Sequence, residues 1–553
     1  MTATDNSSAK KKIIPKVDRD EVFLELTKSI CPVCKKVLDA EINARDNKIF
    51  LRKRCDEHGP FEALLYGDAQ MYMDSQRYNK PGTIPAEFQT EVVDGCPLDC
   101  GLCPDHKQHA CVGLIEVNTD CNLDCPICFA DSGHQPDGFS LTHDQVAVGI
   151  KTFVDSEGGE AEMIMFSGGE PSIHPHIIDF IDMALEANIK HVILNTNGIK
   201  LAKNLPFCKQ LAARDVGIYL QFDGFEEKTH MEIRGRDLRK LKEEALDNCA
   251  EVGLKVMLTA AIEKGLNDHE MGAIVKHGVE HAAVVGAMFQ PVTHAGRMLE
   301  FDPTDRMTNT DVIHGMVDQI PEWFTSEDFF PVPCCAPTCR SISYCLTDKD
   351  AETGESNLLP LSRLFNPSDH LDYLSNQVYP DSELRSSLEK LFSTSASPSH
   401  ATTVAEIECV SCGIDMSEIK AKEENETGES KLTDKLFMLV IQDFQDPYTL
   451  NVKTLMKCCV EQITPDGRLI PFCAYNSVGY REEVREQLSG AQLHDYVPNS
   501  AELADQLVST EYGSLAHKDD PAAQGTVNVH INKRHKPKDG TNRGKTLRPS
   551  KES

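Results

Sequence analysis

The feature that most constrains this chain is a run of three cysteines, Cys121, Cys125 and Cys128, in Asp120-Cys-Asn-Leu-Asp-Cys-Pro-Ile-Cys-Phe129. The four irons of a cubane iron–sulfur cluster ordinarily take four thiolates. A tight Cys-x3-Cys-x2-Cys group supplies three and leaves one iron open to a ligand from outside the chain. Zinc in a structural site would need four closed ligands. The triad follows the apolar run Val112–Val117, which reads as a β-strand delivering its loop to a site. A second such run, Met163–Phe166, leads directly into Ser167-Gly168-Gly169-Glu170-Pro171. That turn is unremarkable alone, but behind a cysteine triad it completes a pattern.

The pair of motifs resembles the radical S-adenosylmethionine (radical SAM) superfamily. The resemblance implies that the open iron of a 4Fe–4S cluster holds the amino and carboxylate groups of SAM. It implies further that an electron from the cluster cleaves SAM to a 5′-deoxyadenosyl radical, which attacks unactivated C–H bonds. On the same ground Gly168 and Gly169 let the backbone approach the SAM amino group, and Glu170 is the nearby anion. From 112 to 300, short β-rich runs alternate with amphipathic segments, the pattern of parallel β/α units. The expected strands are Val112–Val117, Met163–Phe166, His191–Leu194, Val216–Phe222, Leu254–Ala261 and Val284–Gln290. The expected fold class is therefore α/β, a partial (β/α)6 radical SAM barrel. Asn197 and Gln221 fall at the carboxyl ends of strands, where such folds keep functional groups, and are candidates for SAM contact. A turn role is the alternative for Asn197-Gly198. Arg234, beyond the fourth strand, is a candidate carboxylate partner, against a solvated helix-start arginine.

The chain has 553 residues, too many for one compact core, and a prior of about 150 residues per domain suggests roughly three or four units. No stretch approaches the ~20 apolar residues that span a bilayer, and residues 1–24 form a polar leader, expected to be disordered, without the apolar segment of a secretory signal. A cytoplasmic location is expected, with peripheral contact at a membrane. In that compartment 21 cysteines favour metal ligation over disulfides. The 87 acidic residues outnumber 56 basic ones for a net charge of −31, which argues against general nucleic-acid affinity. A Pro/Gly-punctuated basic tail, within 515–553, reads as disordered.

Further cysteine groups divide the chain. Cys31, Cys34, Cys55 and His58 bracket an alternating stretch, Val37–Arg52, read as a hairpin, and have the Cys3His spacing of a zinc-ribbon or rubredoxin-like module over 25–68. The metal is zinc or mononuclear iron. Cys96, Cys100, Cys103 and Cys111, in the loop 90–111, suffice to close a second cubane, with zinc the alternative. In the region 301–480, expected to form a cysteine-rich cluster domain, one of Cys334/Cys335, Cys339, one of Cys458/Cys459 and Cys473 would close a third. Cys335 and Cys459 are chosen from the doublets. Cys345 is placed in a loop, Cys409 and Cys412 have no assigned role, and Cys208 and Cys249 read as buried small hydrophobes.

Taken in order, the ribbon, the Gly-Cys-Pro-x2-Cys-Gly-x-Cys loop, the CNLDCPICFA triad, the later cysteine loop and the terminal Pro-Phe-Cys-Ala-Tyr-Asn resemble the archaeal tetraether lipid synthases and their bacterial relatives. That family has also been labelled as radical SAM methylases of 7,8-dihydro-6-hydroxymethylpterin. The resemblance implies carbon–carbon coupling of lipid chain ends, one or two auxiliary 4Fe–4S clusters, a lipid substrate at the membrane surface, and a low-potential donor such as ferredoxin or flavodoxin. Ile127 departs from the aromatic frequent before the third cysteine of the triad. The rival readings are a pterin methyltransferase, a peptide-modifying radical SAM enzyme, and a non-enzymatic metal scaffold, against which the Gly-Gly-Glu-Pro turn argues.

Overall fold

A computed structural model describes residues 20–133, 138–298, 301–332, 335–349, 356–363 and 436–488. Most of the leader, the basic tail, Cys334, Cys409 and Cys412 lie outside the described residues.

The N-terminal module is a four-stranded antiparallel meander, β1 (Val22–Ile30), β2 (Val37–Arg45), β3 (Lys48–Cys55) and β4 (Gly59–Tyr66). The expected hairpin is its centre, β2 and β3, and an outer strand flanks each side. Asp46 and Asn47 make the tight turn between β2 and β3 at positive φ, a conformation short polar side chains tolerate. Ile42, Ile49, Tyr66 and Tyr72 form the module's small core.

The central sheet contains the six expected parallel strands: β5 (Val112–Glu116), β6 (Met163–Ser167), β7 (His191–Thr196), β8 (Gly217–Gln221), β9 (Val256–Ile262) and β10 (Val284–Pro291). They lie side by side in chain order. Strands covered on both faces can be apolar at every position, and all residues of β5 and β6 are buried. Phe153, Phe166, Phe180 and Phe289 pack on the helical side. Met165, Tyr219, Met257 and Met288 face the concave side.

The cysteine-rich region after 301 joins the central sheet. It adds β11 (Phe330–Pro331), β12 (Arg340–Lys349), β13 (Ser356–Pro360), β14 (Leu436–Gln442), β15 (Val460–Ile463) and β16 (Leu469–Pro471) to the same sheet, which reaches twelve strands. β14 continues the barrel in parallel beside β10 and carries β12 antiparallel on its other edge. β15 pairs in parallel with β5, and the turn at Gly467 returns the chain as β16. Both open edges of the six-stranded unit are thereby covered, as buried apolar edges require. Cys345, expected in a loop, lies buried in β12. Cys208 and Cys249 are buried helical residues.

The ribbon docks on the loop after β14. Thr27 donates to Asn451 Oδ1 at 2.6 Å and Ser29 to the Leu450 carbonyl at 2.5 Å. Lys53 is buried at this seam and donates to Ser29 Oγ and to the carbonyls of Pro447 and Tyr448 at 2.7–2.9 Å. Truncating it would strand two buried carbonyls, each costing on the order of 1–3 kcal/mol. Lys53→Ala should lower the protein's stability by about that amount and raise amide hydrogen exchange first in residues 447–451; unchanged exchange there would show that the seam is not held by this lysine.

Candidate active site

Gly168 and Gly169 connect the two sequence motifs physically. A Cβ on Gly168 would collide with Asn118, and one on Gly169 with the carbonyl of Asp120. The glycine turn is therefore pressed against the start of the cysteine loop, with Gly169 N–H donating to Asn118 O and Glu170 N–H to Asp120 O, both at 2.8 Å. The absent side chains make room for this backbone contact. From the other side, Cys128 and Arg297 exchange backbone hydrogen bonds at 2.9 Å. Gly296, at positive φ, allows that approach, since a Cβ there would strike Cys128 O.

The three thiols line one cavity at the carboxyl ends of the strands, together with Gly168, Gly169 and Glu170. Burial pushes the Cys121 thiol up to about 12 and raises Cys125, where Arg234 opposes the rise. Thiols this reluctant to ionise in isolation become good ligands when a metal replaces the proton. The Leu123 amide points at Cys121 Sγ at 3.4 Å, ready to donate to a thiolate.

Two candidate SAM residues are also held by partners within the protein. The Glu170 carboxylate is buried and accepts three hydrogen bonds: Oε1 from Thr196 Oγ1 at 2.6 Å and Ser172 N at 3.1 Å, and Oε2 from Asn197 N at 2.8 Å. It braces the end of β7 against the glycine turn. Arg234 is not a solvated helix-start arginine but a buried one. Asp223 holds its guanidinium through two bonds of 2.7 Å, beside Cys125. Burial alone would push the Asp223 carboxyl up, but Arg234 reverses this and holds it below the usual range. The pair places a fixed positive group next to a thiolate position, which favours cluster ligation.

Asn197 lines the cavity, with its amide donating to Asn122 Oδ1 at 2.7 Å and its Oδ1 accepting from Ile199 N. Gln221 lines it too, and its buried Oε1 has no partner among the described residues. Thr259 Oγ1, which sequence reasoning missed, is in the same state on the next strand. Two adjacent unpaired polar atoms facing a cavity suit a ligand's hydroxyl or amine.

Cys335, Cys339, Cys459 and Cys473 line a second chamber, with Cys335 and Cys459 sulfurs 2.8 Å apart. Cys458 borders it as well, but its sulfur faces its own strand at Val460 O. Gln442 Nε2 donates to Cys339 Sγ at 3.1 Å and Gln445 N to Cys473 Sγ at 3.3 Å. Gln442, Phe444, Gln445 and Val460 form a wall shared with the triad's cavity. The triad's cavity and this second thiol chamber therefore adjoin across a common wall.

Cys96, Cys100 and Cys103 line a third, small chamber. Asp99 folds their loop, accepting from the amides of Val93, Asp94 and Gly95 at 2.7–2.8 Å. Cys111 is not among the residues around that chamber, in contrast to the sequence expectation. Residues 104–110 carry the chain to β5, where Val112 N binds Cys459 O and Cys111 packs with Cys335 and Cys459. In the ribbon, the ligand atoms of Cys31, Cys34, Cys55 and His58 lie within 4.8 Å of one another, and the His58 contact brings the Cys55 thiol down to about 6. Four converging N/S ligands fit a tetrahedral metal.

The Radical SAM superfamily model matches residues 115–277, and the HMPTM N-terminal zinc ribbon domain matches 23–67. The 7,8-dihydro-6-hydroxymethylpterin dimethyltransferase of Methanocaldococcus jannaschii is 32% identical over 498 residues, covering 84% of this chain and 95% of that protein. GTP 3′,8-cyclase of Shewanella denitrificans is 29% identical over 174 residues, 31% of this chain and 50% of the cyclase. Among solved structures, Streptococcus suis SuiB bound to the precursor peptide SuiA aligns at a TM-score of 0.33 and 16% identity, over 39% of this chain and 48% of SuiB. Replacing Cys121, Cys125 and Cys128 together by Ala should reduce dithionite-driven formation of 5′-deoxyadenosine to background while iron at the other thiol groups persists; wild-type turnover in the triple variant would remove the triad from the chemistry.

Proposed function

We propose that this chain, which belongs to the radical SAM enzymes and among them to the family of the Methanocaldococcus pterin dimethyltransferase, is a transferase that joins carbon to carbon at the end of an apolar lipid chain. When bound, the 4Fe–4S cluster and SAM supply a 5′-deoxyadenosyl radical. Cys121, Cys125 and Cys128 hold the cluster, and Gln221 and Thr259 offer their unpaired atoms to SAM.

The observation that carries the lipid reading is the cavity wall. Beyond the SAM-facing rim, an apolar stretch of Val112, Leu114, Met165, Tyr219, Met288 and Phe472 is interspersed with Gln290, Arg340, Gln442 and Asn476. The apolar stretch suits aliphatic carbon. Glu170 is the one carboxylate lining it among the described residues, and it already accepts three hydrogen bonds from the protein. Joining two chain ends removes one hydrogen atom from each, consumes two SAM and two electrons, and releases two 5′-deoxyadenosine and two methionine. The electrons come from a low-potential donor such as ferredoxin or flavodoxin. No helix among the described residues is long and apolar enough to cross a membrane, so the lipid would be drawn from a membrane surface into the cavity.

A second reading, methyl transfer to a pterin, is favoured by the name of the relative that this chain matches over 95% of its length. Product analysis separates the two. Cluster-loaded protein supplied with SAM, reductant and a diether or phospholipid should yield species with the mass of two chains less two hydrogens; methylated pterin as the sole product, with lipids unchanged, would establish the second reading instead.

A further inference from the structure

Outside the cavity, the segment that follows Glu170 forms a second convergence of ligand-type side chains, which neither the radical chemistry nor the cysteine groups use. The chain leaves the glycine turn through His174-Pro175-His176 and enters the helix Ile177–Glu186, which carries Asp179 in its first turn. Across from it begins the helix His143–Ser156, fixed by a capping box between Thr142 and Gln145. His143 Nε2 and His176 Nδ1 approach the same atom, Asp179 Oδ2, at 3.2 and 3.1 Å. The two imidazole rings stand 4.5 Å apart, and the three ligand atoms all lie within 4.8 Å of one another.

Two imidazoles sharing one carboxylate oxygen is a poor use of hydrogen-bonding capacity, since the second oxygen offers equal lone pairs. It is a natural arrangement for ligands around an ion. Zinc bonds of about 2.1 Å at tetrahedral angles set ligand atoms roughly 3.4 Å apart, close to the two spacings found. The His143 side chain is 2% exposed and Asp179 50% exposed, so the group is anchored at one side and open to solvent at the other. His174 supports the geometry: its Nδ1 accepts the His176 N–H at 3.2 Å and its ring lies against Phe180.

We propose that His143, His176 and Asp179 form a site for a borderline divalent transition metal of the zinc class, completed by water. Two imidazoles and one carboxylate are a donor set suited to such ions. The site spans two segments that flank the glycine turn. Leu141, two residues before His143, donates to Val117 O at 2.8 Å, and Asn118 binds the Glu170 carbonyl at 3.2 Å. A metal here clamps the end of β5 to the exit of the Gly-Gly-Glu turn, and its role is structural support.

The test uses full-length, cluster-loaded protein dialysed anaerobically against Zn2+ alone. Wild type should hold one more zinc per chain than His176→Ala or Asp179→Asn, both partly exposed positions, and should gain more thermal stability on adding zinc than either variant. Equal zinc content in all three proteins overturns the site. Should a variant lose iron and so prove misfolded, the zinc K-edge spectrum of the wild type decides. A component ligated by nitrogen and oxygen without sulfur supports the proposal, and sulfur ligation of every zinc refutes it.

Discussion

The packing of the Gly168-Gly169 turn against the backbone of Asn118 and Asp120 is the constraint on which the rest of the site depends. It joins the loop after β5 to the loop after β6 with no side chain between them, so the cysteine triad cannot move independently of the SAM-facing rim. Glu170 extends this joint by accepting from Thr196, Ser172 and the Asn197 amide, tying in the end of β7. Asp223 and Arg234 do the same from β8 and the helix that follows it. A buried carboxylate with three donors and a buried ion pair with bidentate geometry are rigid because each partner would be costly to leave unpaired.

The concave face of the sheet then determines what such a centre can reach. Met165, Tyr219 and Met288 come from the barrel strands, whereas Gln442, Phe444, Val460 and Phe472 come from strands and loops added after residue 301. These later elements also carry the second thiol group, so the wall between the two chambers is made of the residues that order Cys339 and Cys473. The triad's cavity thus adjoins a chamber ringed by cysteines. The zinc-ribbon module braces the same region from outside, through Lys53 and the 447–451 loop.

The barrel strands and the triad were legible because their signals are local: buried parallel strands are continuous apolar runs, and cysteine spacing within one loop survives folding. Roles that depend on distant partners were not. Arg234 read as a candidate ligand for SAM, but Asp223, eleven positions earlier, claims it. Cys111 lies near Cys103 in sequence, but strand pairing with β15 takes it to Cys459. β14 is a plain apolar run, Leu436–Gln442, yet its neighbour in the sheet, β10, is far away in the chain, and no local pattern announces that it extends the barrel. The Cys335 and Cys459 sulfurs lie 2.8 Å apart, a pairing that spacing alone does not announce.

The proposal rests on the radical formed at the triad abstracting hydrogen from an apolar chain end held in the triad's cavity. Transfer of deuterium tests it most directly. Cluster-loaded enzyme, SAM and a low-potential reductant would be incubated with a lipid whose terminal methyl groups carry deuterium, and the 5′-deoxyadenosine formed would be weighed by mass spectrometry. The account predicts 5′-deoxyadenosine carrying one deuterium, increasing with lipid concentration; 5′-deoxyadenosine that remains unlabelled while lipid is saturating would contradict it.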